Sequence, residues 1–296
     1  MNVWIQVLHP PHEYSVITAL PEIDFVVSGW NGALRPLPAN AKIRVPPDGL
    51  DLSYDVAIFS REPIPDVKAR KRVWVQHCDW WGTDSEAAAL ESKFTEIISV
   101  SPHKRITMKE FGLSPKVKVI NHGMDPGYWK PATGGLGIGT VMNNMAIIPE
   151  VYNYCSRIAE EIPLIVIGFD NGEIKNCTHI MQNGEIFPQT FGRLDVFINV
   201  VCGDACGMTF KEAMLLGIPM VSGRFSDAGA FCLSGWNCYM ADVPPLQCIP
   251  WVIEKAKELN ANEDLRRSMG KAARNTIETL FPFKRFADEW RKVLTG

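Results

Sequence analysis

Paired acids and glycines in one short stretch are the part of this chain best suited to chemistry. Residues 204–221 read DACGMTFKEAMLLGIPMV, with Asp204 and Glu212 eight positions apart. An apolar run at 195–200 (DVFINV) has strand character and leads through small residues into a helical pattern. That pattern starts near Met208 and stops at Gly217. Asp204 therefore precedes the helix, and Glu212 falls in its second turn. A helix N-terminus at the carboxyl end of a parallel strand offers N–H groups and a positive dipole end, and both favour phosphate. A carboxylate beside it accepts hydrogen bonds from ribose or sugar hydroxyls. An ordinary strand–helix unit accounts for the glycines but not for the two acids.

The elements that must position these groups alternate along the chain. Runs rich in Val, Ile and Phe predict strands at 3–8, 25–28, 56–59, 73–76, 97–100 and 117–121, then at 138–142, 164–168, 196–200 and 219–222. Between two of them Val151, Tyr154, Ile158 and Ile162 lie on one helical stripe. Thr83 to Glu86 forms a capping-box pattern, and Ser101 before Pro102 is a helix cap that Gly112 closes. Strands alternating with helices imply parallel sheets covered on both faces, and two such sets imply an α/β chain of two Rossmann-like domains. The stretch 128–135 (YWKPATGG) breaks the pattern, which sets the expected domains at 1–131 and 132–296. In the last segment, 281–294, Phe283, Phe286, Trp290 and Leu294 recur at helical spacing. Such an aromatic stripe needs a groove, and the first domain is a candidate to supply it.

The stretch 204–221 resembles the signature of the retaining GT-B glycosyltransferases of the large bacterial group 1 (GT4-like) family. That signature is E, seven residues, E, with glycines at the helix entry and EAM-small-G-x-P-V-V following. Asp204 stands in the first acidic place and Gly207 in the second glycine place. Glu212, Ala213 and Met214 match directly, and Gly217, Pro219 and Val221 follow in step. Residues 117–131 (VKVINHGMDPGYWKP) are similar to the family's domain junction. Residues 75–79 (VQHCD) are similar to the strand end that carries its histidine, and the closing helices are similar as well.

The resemblance implies a GT-B fold, two Rossmann-like domains with parallel sheets facing across a cleft. It implies a UDP- or GDP-linked sugar as donor and no metal or other cofactor. Glu212 would bind the ribose, Asp204 the hydroxyls of the transferred sugar, and the amides of Gly207, Met208 and Thr209 would face the diphosphate. His77 would stand beside the sugar and help to stabilise the transition state, while the donor's own phosphate assists deprotonation of the acceptor. The acceptor is expected on the first domain near His12, His77, Trp80 and Trp81, the tryptophans offering faces for stacking or else simply filling a core.

This chain also departs from the family pattern. After the strand at 138–142 the family offers an arginine and then a lysine, whereas here Asn143, Asn144 and Met145 follow. Asparagine donates hydrogen bonds but does not neutralise a leaving diphosphate, and losing such a contact typically costs about 2–4 kcal/mol. Arg224, just past the strand at 219–222, is the candidate replacement; its other reading is a solvated loop charge. Asp204 in place of glutamate shortens the reach by one methylene. His9-Pro10-Pro11-His12 replaces the glycine-rich loop expected after the first strand.

Composition narrows the function classes. The 296 residues carry a net charge of −3 and a pI near 6.1, which gives no global field for a polyanion. The run KARKR at 68–72 precedes the strand at 73–76 and reads as a solvated face at the strand's amino end. Gly135, Gly137 and Gly139 precede or lie within a strand, so they do not form a dinucleotide fingerprint. No Asp-x-Asp occurs, which disfavours metal-dependent sugar transfer. The eight cysteines contain no CxxC, and Cys202 and Cys206 lack a matching second pair for zinc. Free thiols, the lack of a basic N-terminal region and the lack of an 18-residue apolar run lead to the expectation of a soluble, cytoplasmic protein. Three functions stay open: a sugar transferase, a GT-B-shaped binding protein without activity, and a phage-type transferase acting on modified bases of DNA. The acceptor is correspondingly open between a glycan, a lipid-linked or small molecule and a modified nucleic acid, and so is the oligomeric state.

Overall fold

Runs of β-branched and aromatic residues become strands whose two faces are both covered. The computed structural model describes residues 1–32, 34–44, 53–60, 67–76, 92–101, 117–142, 149–168, 174, 176–200, 207–225 and 228–296. In the first sheet run β1 (Asn2–Ile5), β2 (Asp24–Val27), β3 (Ala41–Ile43), β4 (Ser53–Phe59), β5 (Lys68–Gln76), β6 (Glu96–Ser99) and β7 (Val117–Val119). Their order is β3-β2-β1-β4-β5-β6-β7, and every pairing is parallel. The second sheet holds β8 (Ile138–Met142), β9 (Leu164–Gly168), β10 (Cys177–Met181), β11 (Val196–Ile198), β12 (Met220–Ser222) and β13 (Tyr239–Met240). It is also parallel, in the order β10-β9-β8-β11-β12-β13.

Three strands were not predicted: β3, β10 and β13. Each is an edge strand. An edge strand has less to bury, so its sequence carries no continuous apolar run. The basic run KARKR forms the amino half of β5 instead of preceding it. The strand tolerates the charge because Arg70 pairs with Asp55 of β4, and Lys71 Nζ lies 2.8 Å from Glu96 of β6. The helix caps expected at Thr83–Glu86 and at Pro102–Gly112 lie outside the described residues.

The chain divides into two units, Met1–Gly123 with Phe283–Gly296, and Met124–Pro282. Residues 124–131 thus belong to the second unit, where Met124 and Trp129 are buried with Phe187, Phe191 and Phe281. In the first unit α1 (Pro10–Thr18) follows β1, and the terminal helix α7 (Phe283–Thr295) buries Phe286, Trp290 and Leu294. Trp4, Tyr54, Ala57 and Phe59 form a core cluster of this unit.

The second unit adds α2 (Pro149–Ala159), α3 (Phe187–Phe191), α4 (Met208–Leu216), α5 (Ile249–Ala261) and α6 (Glu263–Leu280). Alternation along the strands divides its core. Ile138, Val196, Ile198 and Val221 pack with residues of α2 and α5, whereas Val141, Phe197 and Met220 pack with residues of α3, α4 and α6.

Two constraints fix the helices nearest the strand ends. Gly217 ends α4 at φ +79°, and a Cβ at Gly270 of α6 would stand 2.0 Å from the Gly217 carbonyl oxygen. Glycine at 270 is thus what lets α6 meet the end of α4. In the first unit, Glu13 is buried in α1, and its Oε1 accepts from Leu8 N–H (3.3 Å), His9 N–H (3.2 Å) and Ser60 O–H (3.0 Å). Burial raises its carboxyl from the ordinary 4.5 to about 7, against the lowering effect of those hydrogen bonds.

Gly270→Ala is expected to cost about 1–3 kcal/mol by overpacking, read as a lower midpoint in urea. Gly229→Ala, where a Cβ meets nothing within 4 Å among the described residues, should stay within about 0.5 kcal/mol of wild type. Glu13 makes a prediction in pH. A raised carboxyl pKa means that the folded state holds its proton longer than the unfolded chain, so stability declines as pH rises from 4.5 through about 7. Glu13→Gln should melt near wild type at pH 4.5 and above it at pH 8, by up to about 3 kcal/mol. A variant that melts below wild type at pH 8 would contradict a buried, reluctantly ionised carboxyl.

Candidate functional site

In the second unit the carboxyl ends of β11 and β12 and the entry of α4 carry the polar groups. Gly207 caps α4 at φ +50°, ψ +53°, and a Cβ there would fall 2.1 Å from the Phe210 ring. Glycine meets both conditions without strain. Phe210 in turn stacks on Phe231 (5.2 Å between centroids) and meets Phe225 edge-on (4.7 Å), which holds the first turn in place. Lys211 N–H donates to the Gly207 carbonyl at 3.1 Å. The amides of Met208 and Thr209, in the helix's first turn, have no acceptor within the helix, and both residues are half-buried.

Glu212 follows in the second turn, 2% exposed. Lys211 beside it is fully buried, its Nζ 4.6 Å from the Phe281 ring centroid and 5.3 Å from that of Phe231. At the neighbouring strand ends Asn199 Nδ2 donates to Ser222 Oγ (3.1 Å), and Ser222 Oγ donates to the Gly223 carbonyl (2.7 Å). Arg224 lies past the carboxyl end of β12 as expected, largely exposed, with its guanidinium paired to Asp242. The structure thus brings Gly207, Met208, Thr209 and Glu212 together on the first two turns of one helix. Asp204, Asn143 and Asn144 lie outside the described residues, as do His77, Trp80 and Trp81 of the first unit.

Sequence reasoning passed over Gln182, which directly follows β10 and donates its N–H to the Gly168 carbonyl at 3.2 Å. Its side chain is buried, and neither amide atom has a hydrogen-bond partner among the described residues. Buried groups of that kind are rare enough to call for a reason. A single glutamine after a short, unpredicted edge strand gave no signal in the sequence.

In the first unit the corresponding region follows β1, β2 and β4. Pro10 and Pro11 open α1, where a missing N–H costs nothing. His12 is 2% exposed, and its Nδ1 stands 3.2 Å from Nδ1 of His122. Its ring packs against Phe286 and Trp290 of α7, with centroids 6.4 and 6.1 Å away. Burial first, then the neighbouring His122 and His9, hold His12 well below the ordinary imidazole range. A neutral ring satisfies the pairing, with one Nδ1 donating and the other accepting. Next to this entry lies a shallow pocket of about 320 Å³, open to solvent, whose lining includes Val7, Leu8, Pro10, Gly29, Trp30 and Leu34. Trp30 was not singled out in the sequence, since a lone tryptophan after a strand looks like core.

Among the described residues no group of three or more His, Cys, Asp or Glu side chains converges, and no helix is long and apolar enough to cross a membrane. No protein-family model and no curated protein matches the chain by sequence. Solved structures do match it along its length. A glycosyltransferase from Rickettsia africae superposes with a TM-score of 0.73 at 11% identity, covering 100% of this chain and 99% of that one. Anabaena HepE, solved with UDP and glucose, gives 0.74 at 12% identity, with both chains covered fully. Sucrose-phosphate synthase from Thermosynechococcus elongatus gives 0.73 at 12%, covering 99% of this chain and 98% of that one. The two parallel-sheet units are those of the GT-B glycosyltransferase fold.

Proposed function

We propose that the chain is a glycosyltransferase that moves a sugar from a nucleotide-sugar donor to an acceptor hydroxyl, with retention and without a metal, in the manner of the GT4-like family. The observation that carries the reading is the entry of α4. A glycine-enforced helix N-terminus and a buried acid in its second turn stand at the carboxyl end of β11, where open α/β sheets bind ligands. The fold supports it, since HepE, a structural neighbour, was solved with UDP-glucose.

In this reading the second unit holds the donor and the first the acceptor. The N–H groups at the start of α4 meet the diphosphate, and the helix dipole favours its charge. Glu212 accepts from the ribose hydroxyls, and Asp204 accepts from those of the transferred sugar. His77, Asn143 and Asn144 donate to the charge that develops as the glycosidic bond to phosphate breaks, and Arg224 supplies the cation the phosphate loop lacks. His12 acts on the acceptor side as part of the packed base of α1, with Trp80 and Trp81 as stacking faces. The free cysteines fit a cytoplasmic setting.

A second reading, a GT-B-shaped binder without activity, draws on one observation: the Arg224 guanidinium is already paired with Asp242.

Calorimetric titration with UDP-, GDP- and ADP-sugars, each with and without EDTA, separates them. One donor should bind with an affinity that EDTA leaves unchanged. Glu212→Ala should weaken it at least about tenfold, the loss of a hydrogen bond to a charged group. Binding unchanged in the variant would remove Glu212 from the site, and binding abolished by EDTA would remove metal independence. Donor binding with neither hydrolysis nor transfer would favour the inactive binder.

A further inference from the structure

An amide with nothing to bond, in a place shut off from water, stands at the edge of the second sheet. Gln182 directly follows β10 and is 4% exposed, and neither its Oε1 nor its Nε2 has a hydrogen-bond partner among the described residues. Its backbone is well held. Gln182 N–H donates to the Gly168 carbonyl at 3.2 Å, which carries the parallel ladder between β10 and β9 one residue past the strand. An unbonded amide on a fixed backbone is a group that lacks its partner.

Alternation places the side chain. Ile180, two positions earlier, packs with Ile167 of β9, Val141 of β8 and Phe197 of β11 in the cluster covered by α3, α4 and α6. Residues two apart on a strand share a face, so Gln182 stands on the α4 side of the sheet, one step beyond Ile180 and at the carboxyl end. The entry of α4 and Glu212 lie on the same side and at the same end, reached from β11. In the order β10-β9-β8-β11 three strand spacings separate the two places, roughly 14 Å. A nucleoside diphosphate bridges that span when its diphosphate meets the helix entry and its base points across the strand ends towards β10. No hydrogen bond among the described residues retains the carboxamide inside, so the rotamer change that turns it to a ligand breaks none of them.

We propose that the Gln182 side chain reads the base of the donor nucleotide and that this base is uracil, its N3–H donating to Oε1 and a flanking carbonyl accepting from Nε2. The word donor rests on the sugar-transfer reading above. A carboxamide presents one donor and one acceptor side by side, and every base has an edge that matches such a pair. The bases differ in what they leave over. Uracil paired in this way keeps a single carbonyl oxygen unmet. Cytosine keeps an N–H and a carbonyl, adenine an N–H and two ring nitrogens, and guanine its amino group and two ring nitrogens. Ile167, Ile180 and Phe187 on this face offer no side-chain hydrogen bond. The base with least left over therefore loses least when it gives up water here.

The test is calorimetric titration of the full chain with UDP, CDP, GDP, ADP and 3-methyl-UDP, in which a methyl group replaces the N3 proton. UDP should bind most tightly, and its methylated form at least about tenfold more weakly. Gln182→Met, similar in shape but without the amide, should bind UDP and 3-methyl-UDP equally, both at the weakened level. Its thermal midpoint without ligand should stay at or above that of wild type, because the amide it removes has no partner to lose. Tighter binding of CDP, GDP or ADP than of UDP overturns the proposal. So does a preference for UDP over its methylated form that persists in Gln182→Met, and so does a lower midpoint, which would mean that the fold itself holds the amide. UDP binding lost in Glu212→Ala but unchanged in Gln182→Met sinks this inference and leaves the sugar-transfer reading standing. If wild type binds no nucleoside diphosphate, both fall.

Discussion

A residue with a side chain would enter α4 only at a cost that Gly207 avoids. Its left-handed backbone and the Phe210 ring where a Cβ would stand are two separate penalties, one conformational and one steric. The rest of the second unit's polar end depends on that turn. It directs the helix's first amides beyond the carboxyl end of the sheet. It also sets Phe210 against Phe225 and Phe231, so that the helix entry is anchored by aromatic contact and not by a side-chain cap. The other end of α4 is fixed by a second glycine-dependent approach, Gly217 against Gly270. A helix of nine residues pinned at both ends has little freedom to slide, and Glu212 is carried on it.

The first unit solves a related problem by polar means. Where a glycine-rich loop would leave its amides open, the turn from β1 into α1 has two of them gathered by Glu13, a carboxyl so deeply buried that it holds its proton to about pH 7. One position before it, His12 meets His122 and the aromatic stripe of α7. The two residues titrate in opposite senses. Acid favours the protonated Glu13 that the fold prefers and opposes the neutral His12. Their adjacency therefore flattens the pH dependence of this corner more than either residue alone would suggest.

The interior strands and the edge strand β7 were legible in the sequence from their apolar runs, whereas the edge strands β3, β10 and β13 were not. Cys177–Met181 (CTHIM) alternates apolar and polar residues too weakly to announce β10, and Tyr239–Met240 is two residues long. The aromatic stripe of α7 was legible at its spacing, and so were the glycine-bounded α4 and the stripe of α2, since each obeys a local period or a local steric rule. What pairs across long separations was not. His12 with His122 and Glu13 with Ser60 are contacts that only the order of the sheet creates. The same limit explains why His12 was assigned by its position after β1, without any sign that its ring is buried.

Arg224 shows how far a local rule reaches. Its place after β12 follows from the sequence, but whether its charge is committed depends on Asp242, eighteen residues away. Exposed ion pairs of this kind are worth about 0–1 kcal/mol, because water competes for both partners and two long side chains lose freedom. A doubly charged phosphate outbids one exposed carboxylate at similar distance simply by Coulomb's law. The pair with Asp242 is thus a weak hold on the guanidinium. Lys211 is the opposite case: its ammonium, fully buried over two ring faces, cannot leave without exposing the aromatic cluster that anchors α4. Of Arg224 and Lys211, the exposed one is exchangeable and the buried one belongs to the scaffold.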